Sequence, residues 1–302
     1  MSGNSKNEKG APMWAELWRM GRIELDPTNE KLEGRDVQVA LVTGATGAIG
    51  KAIARGIAAK PGYKVVLIAR DERKAQVVVK DIIHATGNTA VTYELVDLSR
   101  RAQIYAFVNR WSGPLNVLVN NAAATPRRRQ ETPEGIEVQF ATNVLGYFWM
   151  TRAFRERLQD SPPGRVVNVA SYYAGDLDLS DLEYRRRPYD NRSAYRQSKQ
   201  ANRMLTIAFA ERLTENGIAV NVCHPGDVNS KLSNDLGFGG HESPDRGADT
   251  PVWLATTTVG IKNSGKYFEH RSESHCRFST DRQAIERLYK ICLGFDSQAQ
   301  DE

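Results

Sequence analysis

Apolar residues recur along this chain in two rhythms. Short, nearly continuous runs rich in Val, such as Val37-Gln-Val-Ala-Leu-Val42 and Lys64-Val-Val-Leu-Ile-Ala69, are bounded by turn residues. That is the pattern of strands buried on both faces of a parallel sheet. The runs predict strands over Val37–Thr43, Lys64–Ala69, Ala90–Val96, Leu115–Asn120, Val166–Ala170 and Ile218–Cys223. Between them lie stretches with apolar positions at helical spacing, predicting helices over Ala48–Lys60, Asp71–Ala85, Arg100–Trp111, Glu134–Leu158 and Ala194–Glu215. Strict alternation of strand and helix implies βαβ units with right-handed crossovers. The fold class is therefore α/β: a doubly wound Rossmann fold with a mainly parallel sheet flanked by helices.

The first strand leads into Thr43-Gly-Ala-Thr-Gly-Ala-Ile-Gly50 and then a helix. A glycine turn between a strand and a helix N-terminus lets backbone N–H groups approach a pyrophosphate. Gly44, Thr46, Gly47, Ala48, Ile49 and Gly50 are the candidate phosphate contacts. The spacing T-G-x-x-G-x-x-G is not the common G-x-G-x-x-G, because Thr stands at position 46.

Composition narrows the function classes. The chain has 302 residues, 40% hydrophobic and 25% charged, which suits a soluble globular protein with a substantial core. No apolar run approaches the ~20 residues of a membrane span. The polar start Met1–Gly10 has no apolar core and is no signal peptide. Cys223, Cys276 and Cys292 lack metal or disulfide spacing, and the five histidines are read as surface or loop residues with no metal among them. A reducing, cytoplasmic setting is expected. The net charge of +5 suits an anionic cofactor and is too small to argue for nucleic acid. With no composition break, residues 13–302 are expected to form one domain with an N-terminal pad and a C-terminal helix, after a disordered tail over 1–12. The pad is a short amphipathic helix within Met13–Gly21, with Trp14, Leu17 and Trp18 on one face.

Polar motifs fall at successive strand ends: Asn120-Asn-Ala-Ala123 after the fourth, Ser171 after the fifth, and His224-Pro-Gly226 after the sixth. Ligands of doubly wound sheets lie beyond those carboxyl ends. Asn143 sits in the helix between the fourth and fifth strands. Tyr195 and Lys199 open the last long helix, four residues apart and so on one face. A nearby ammonium is expected to lower the Tyr195 pKa from its ordinary value of about 10.

This ordered set resembles the short-chain dehydrogenase/reductase family, nearest its retinol-dehydrogenase-like branch, over Val37 to Leu232. The resemblance implies an Asn143–Ser171–Tyr195–Lys199 tetrad. Tyr195 would exchange a proton with the substrate oxygen, and Ser171 would hydrogen-bond that oxygen. Lys199 would tune Tyr195 and bind the nicotinamide ribose, and Asn143 would position a relay water. It also implies cofactor contacts from Asp97 and Leu98, from Asn121 and Ala122, from Tyr195 and Lys199, and from Pro225, Gly226, Val228 and Ser230. The chain departs from the family pattern with Ala48 in place of the middle glycine, Ala123 closing the Asn-Asn-Ala motif, and Ser230 for the usual Thr. In this family the two long helices often pack against a partner subunit, so a C2 homodimer is expected.

Where NAD-preferring relatives carry Asp after the second strand, this chain has Ala69, followed by Arg70. A guanidinium there can pair with a 2′-phosphate, so NADP(H) is the expected cofactor, and a small-molecule carbonyl or alcohol the expected substrate. Arg73 and Lys74 would add to the field, and Asp71 is read as capping the next helix. Two basic triplets, Arg127–Arg129 and Arg185–Arg187, are either solvated charge or the rim of a cleft. The segment between Ser171 and Tyr195 and the loop after Gly226 would set the substrate, the latter as a mobile lid. Two other readings share the fold: a dinucleotide-binding regulatory protein, against which the intact tetrad argues, and a nucleotide-sugar epimerase-like isomerase, against which the short C-terminal region argues.

Overall fold

The computed structural model describes residues 37–297; the tail and the Trp14–Trp18 pad expected from the sequence lie outside the described residues. Each buried run becomes a strand: β1 (Gln38–Thr43), β2 (Tyr63–Ala69), β3 (Val91–Leu95), β4 (Val117–Asn120), β5 (Gly164–Val169) and β6 (Ile218–Cys223). The intervening helices are α1 (Ala48–Ala58), α2 (Glu72–Thr86), α3 (Arg101–Arg110), α4 (Gly146–Ala153), α5 (Arg155–Gln159) and α6 (Asn191–Leu213). Beyond them lie α7 (Lys231–Asp235), α8 (Pro244–Thr256), α9 (Val259–Lys262), β7 (Tyr267–Glu269), β8 (Ser272–Ser274) and α10 (Arg282–Ser297).

The sheet runs β3-β2-β1-β4-β5-β6-β7-β8. All neighbours are parallel except β7 and β8. The order reverses between β1 and β4, and there the crossovers leave to opposite faces and a crevice opens at the strand ends. Alternate residues of one strand feed two cores. Val39 and Leu41 of β1 join the cluster under α3, α4, α6 and α10, while Ala40 and Val42 join the cluster under α1, α2 and α8.

Three differences from the sequence reading have local causes. The segment predicted as one helix over Glu134–Leu158 starts later: Gly135 takes a left-handed φ of 76°, and Glu131 and Glu137 close a small antiparallel bridge. The helix then begins with a π-helical turn, Phe140–Leu145, runs on as α4 and breaks at Phe154 rather than Gly146. Gly146 instead allows close packing, since a Cβ there would come within 2.8 Å of the Leu98 carbonyl oxygen. The strands β7 and β8 were not predicted, being three residues each and too short to show a period. They are joined by His270 and Arg271, both left-handed, with φ of 49° and 60°, as a two-residue hairpin of that twist demands.

α10 of the same chain packs against α4 and α6, which belong to the two helical segments expected to meet a partner subunit. Phe148 packs at 5.2 Å from both Phe209 and Tyr289, and Phe209 lies 5.5 Å from Tyr289. Replacing the fully buried Phe148 by Ala should therefore cost ~3–5 kcal/mol, read as a lowered midpoint in urea unfolding. A loss under ~1 kcal/mol would show that this cluster does not anchor α10.

Candidate active site

The crevice between β1 and β4 is built around Thr43. Its hydroxyl accepts the backbone N–H groups of Asn121 at 2.8 Å and Ala122 at 3.1 Å, and donates to the Val119 carbonyl at 3.3 Å. The Asn121 side chain donates to the Thr43 carbonyl at 2.9 Å. The two strand ends are thus tied to each other, and the chain beyond each must diverge. Gly44 turns away with a φ of 63°. A Cβ on Gly44 would lie 2.7 Å from the Ala122 Cα, and one on Gly50 would lie 2.6 Å from the Asn121 amide nitrogen. These two glycines hold the cradle open. Gly47 has ordinary angles and is the N-cap of α1, so Ala48 is accommodated as the first residue of that helix.

A cleft of ≈ 960 Å³ follows. The turn Gly44–Gly50 walls one side, and the ends of β2 and β3 contribute Ala69, Arg70, Asp97 and Leu98. Asn121 and Ala122 line its middle, and Tyr195, Lys199, Pro225 and Ser230 its far end. A long cleft with free amides at a helix start, a cationic end and a Tyr–Lys end fits a dinucleotide. Arg70 is exposed and has no hydrogen bond or ion pair among the described residues, and Lys74 lines the same wall. Asp71 caps α2 by accepting the Lys74 N–H at 3.0 Å, as read from the sequence. Asp97 does two things: it lines the cleft, and its carboxylate accepts the Ser99 N–H at 3.0 Å and the Ser99 hydroxyl at 2.8 Å.

The α6 face presents Tyr195 and Lys199 as expected, but their electrostatics differ from the expectation. Burial raises the Tyr195 phenol to about 12, with the Ser171 hydroxyl within hydrogen-bonding reach pulling it down only in part. Burial lowers Lys199 to about 7. The Lys199 ammonium donates to the Val169 carbonyl at 2.9 Å and the Tyr147 hydroxyl at 3.4 Å, and stands 5.6 Å from the centre of the Tyr195 ring. Desolvation is the largest cause of both shifts, so Tyr195 is raised rather than lowered.

Asn143 lies in the π-helical turn and is fully buried. Its carbonyl oxygen accepts the Ala124 N–H at 2.8 Å, and its amide donates to the Ala124 carbonyl at 3.1 Å, Gln139 at 3.3 Å and Ser198 at 3.3 Å. Those bonds occupy the amide, so its side chain clamps the loop after β4 to the start of α6 rather than facing the cleft. Ser171 is also buried, and its oxygen accepts the Tyr173 N–H at 3.2 Å, which leaves its own proton free to donate.

The cleft lining includes Pro225 and Ser230 but not Gly226 or Val228. Val228 is buried and bridges to Glu242: the Asn229 N–H donates to the Glu242 carbonyl and the Glu242 N–H to the Asp227 carbonyl, both at 2.9 Å. His224 is not a surface residue: burial lowers it to about 3, and its ring meets Tyr172 at 4.9 Å. The Arg185–Arg187 triplet does not line the cleft, and Arg185 and Arg186 are exposed charge. Its three N–H groups converge on the Asp181 carboxylate at 2.8, 3.2 and 3.2 Å. Of the other triplet, Arg127 reaches the cleft and pairs loosely with Asp235 at 3.9 Å, while Arg129 binds Glu131 at 2.7 Å.

Sequence reasoning missed the wall formed by Thr125, Pro126, Gln130 and Thr142; their position just past β4 was the available signal. The loop after Gly226, expected to act as a lid, places an aromatic ring beside the site. Phe238 stacks on Tyr173 at 4.3 Å and stands 6.2 Å from Tyr195. The lid loop carries left-handed Gly237, Gly239 and Gly240, and the capping box of Ser230 and Ser233 starts α7 within it. Among the described residues no group of His, Cys, Asp and Glu could hold a metal, and no helix is long and apolar enough to cross a membrane.

The Lys199 environment has a measurable signature. An amine whose pKa falls from 10.5 to about 7 on folding binds fewer protons folded than unfolded between those values, so stability rises with pH across that window. The penalty of burying the charge is present in full below pH about 7 and gone above about 10.5. Lys199→Met should therefore gain in Tm relative to wild type at pH 6 compared with pH 10. A Tm difference that does not change over that range would contradict the lowered pKa.

Residues 38–237 match the family model described as short chain dehydrogenase. The chain is 33% identical over 284 residues to mouse retinol dehydrogenase 13, covering 87% of this chain and 84% of that one. Among solved structures, an uncharacterised protein from Mycobacterium paratuberculosis aligns with a TM-score of 0.71 at 25% identity, over 85% of this chain and 93% of that one. A metagenomic short-chain oxidoreductase in complex with NADP aligns at 0.59 and 28% identity, over 77% and 96%. The crevice, the α6 face and these similarities converge: the chain belongs to the short-chain dehydrogenase/reductase family, in its retinol-dehydrogenase-like branch, whose members are oxidoreductases acting with nicotinamide cofactors on CH–OH and C=O groups of small molecules.

Proposed function

We propose that this protein is an NADP(H)-dependent oxidoreductase that interconverts a carbonyl and its alcohol, with Tyr195 as the proton-transfer residue. The observation that carries the reading is the placement of two unlike ends on one cleft. Arg70 and Lys74 stand at one end, and Tyr195, Lys199 and the Ser171 hydroxyl gather at the other.

When bound, the nicotinamide supplies or accepts the hydride. The protein handles the proton. Held at about 12 by burial, the Tyr195 phenol is protonated at neutral pH and is a general acid for carbonyl reduction. The Ser171 hydroxyl, whose oxygen is engaged by Tyr173, donates toward the same oxygen and holds its developing charge. After Tyr195 gives up its proton, the protonated form of Lys199 stabilises the phenolate. Asn143 acts from behind, fixing the floor loop at Ala124 and the start of α6 at Ser198. Pro225 and Ser230 wall the nicotinamide end, and Phe238 on the glycine-bearing loop shields Tyr195 from water.

The similarity to retinol dehydrogenase 13 makes retinaldehyde a natural probe alongside hexanal and benzaldehyde. Assembly as a C2 homodimer would have to use surface other than the face of α4 and α6 that α10 covers.

Two measurements test this function. Titrating NADPH and NADH by fluorescence should show tighter binding of NADPH. Arg70→Ala should weaken NADPH about ten- to a hundredfold, the loss of a charge-assisted contact of ~1.5–3 kcal/mol, and leave NADH little changed. Equal or tighter NADH binding by the wild type would refute the cofactor assignment. Tyr195→Phe keeps the ring and removes only the proton, so turnover of the aldehydes should fall by about a hundredfold or more while NADPH still binds. Full turnover in that variant would remove Tyr195 from the mechanism.

A further inference from the structure

Four residues beyond Lys199, on the same face of α6, lies Arg203. It is 4% exposed, and its Nε has no hydrogen-bond partner among the described residues. A buried guanidinium costs folding free energy that an apolar side chain at the same site would avoid. Among the described residues no carboxylate offsets it at close range: the paired oxygen, on Glu269, is 4.0 Å away. Arg203 does not line the cleft, so cofactor binding does not account for its presence either.

What Arg203 does hold is specific. Its Nη2 donates to the Ser171 backbone carbonyl at 2.7 Å. The same nitrogen donates to the Tyr267 hydroxyl, which in turn donates to Glu269. The guanidinium lies flat on the Tyr267 ring, 3.6 Å from its centre. The Ser171 carbonyl also accepts the Ala174 N–H at 3.2 Å. It is therefore the hinge of the tight turn after β5, and that turn aims the Ser171 hydroxyl. The two short strands β7 and β8 give Tyr267 its fixed place, since β7 pairs with β6 through Tyr267 itself.

We propose that Arg203 is a positioning residue for the reaction: by gripping the Ser171 carbonyl it holds the Ser171 hydroxyl against Tyr195. The role rests on the function proposed above, because it acts through Ser171. Arg203 touches no reacting atom. It ties the catalytic turn to the far edge of the sheet through Tyr267 and Glu269.

A double-mutant cycle separates this role from a merely structural one. The assay is NADPH oxidation with whichever of retinaldehyde, hexanal and benzaldehyde the wild type reduces fastest. Arg203→Met should lower kcat about tenfold or more while leaving the KM for NADPH within about twofold. Arg203→Lys, which keeps a donor, should recover part of that loss. In a Ser171→Ala background, Arg203→Met should cost less than about a further twofold, because the hydroxyl it aims is gone. A wild-type kcat in Arg203→Met, or the same fold-loss with and without the Ser171 hydroxyl, would overturn the role. If Arg203→Met does not fold, Tyr267→Phe decides. It keeps the ring under the guanidinium and removes the hydroxyl that steadies it, so it should lower kcat only while Ser171 is present; an unchanged kcat overturns the proposal. A wild type that reduces no aldehyde, or full activity in Ser171→Ala alone, overturns the parent function instead, and this role with it.

Discussion

The structure depends most on the Thr43 hydroxyl. One oxygen accepts two N–H groups from the residues after β4 and donates to the Val119 carbonyl within it, so the two central strand ends cannot drift. Everything functional is measured from that tie. Gly44 must leave left-handed because Ala122 is fixed beside it, and Gly50 must lack a side chain because Asn121 is fixed there. The free N–H groups of α1 then face the crevice rather than the sheet. On the other side, Asn143 repeats the device with Ala124, so the loop beyond β4 is clamped at both ends. A cleft built this way is shaped before any ligand arrives, which is the condition for electrostatic preorganisation.

The second theme is the use of buried polar groups along one helix. Tyr195, Lys199 and Arg203 lie at intervals of four on α6, and all are nearly inaccessible. Each is held out of water, and the polar groups each one meets are backbone carbonyls or hydroxyls rather than close carboxylates. The result is a helix face whose protonation states are set by desolvation. Tyr195 stays neutral and Lys199 is brought to the middle of the physiological range. Nearby, His224 is kept neutral for the same reason, with Arg203 and His270 adding to the effect.

The sequence made the parallel order legible because strands buried on both faces leave an unmistakable record of Val, Leu and Ile between turns. The strand-end rule pointed to Ser171 and the glycine turn, and the four-residue spacing put Tyr195 and Lys199 on one face of α6. Where the reading failed, the causes were distances the chain does not encode locally. The bonds from the Asn143 side chain to Ala124 are among them, since spacing along the chain does not show what a buried amide meets. The tuning of Tyr195 was given the wrong sign because spacing reveals a neighbouring charge and not the loss of solvent around it. Arg203 gave no signal at all, since its partners are 32 and 64 residues away.

The Asp181 node has a wider meaning for the segment between Ser171 and Tyr195. Three successive arginine amides close on one carboxylate, Arg187 adds a contact to Gln197, and Gln197 returns a bond to the Leu182 carbonyl at 2.7 Å. That segment carries its own internal scaffold, moored to α6 at Gln197 and to the neighbouring loop at Arg129. The exposed side chain of Tyr172 can change identity without breaking any of those bonds. In such a molecule, selectivity is a replaceable panel mounted on a fixed reaction frame.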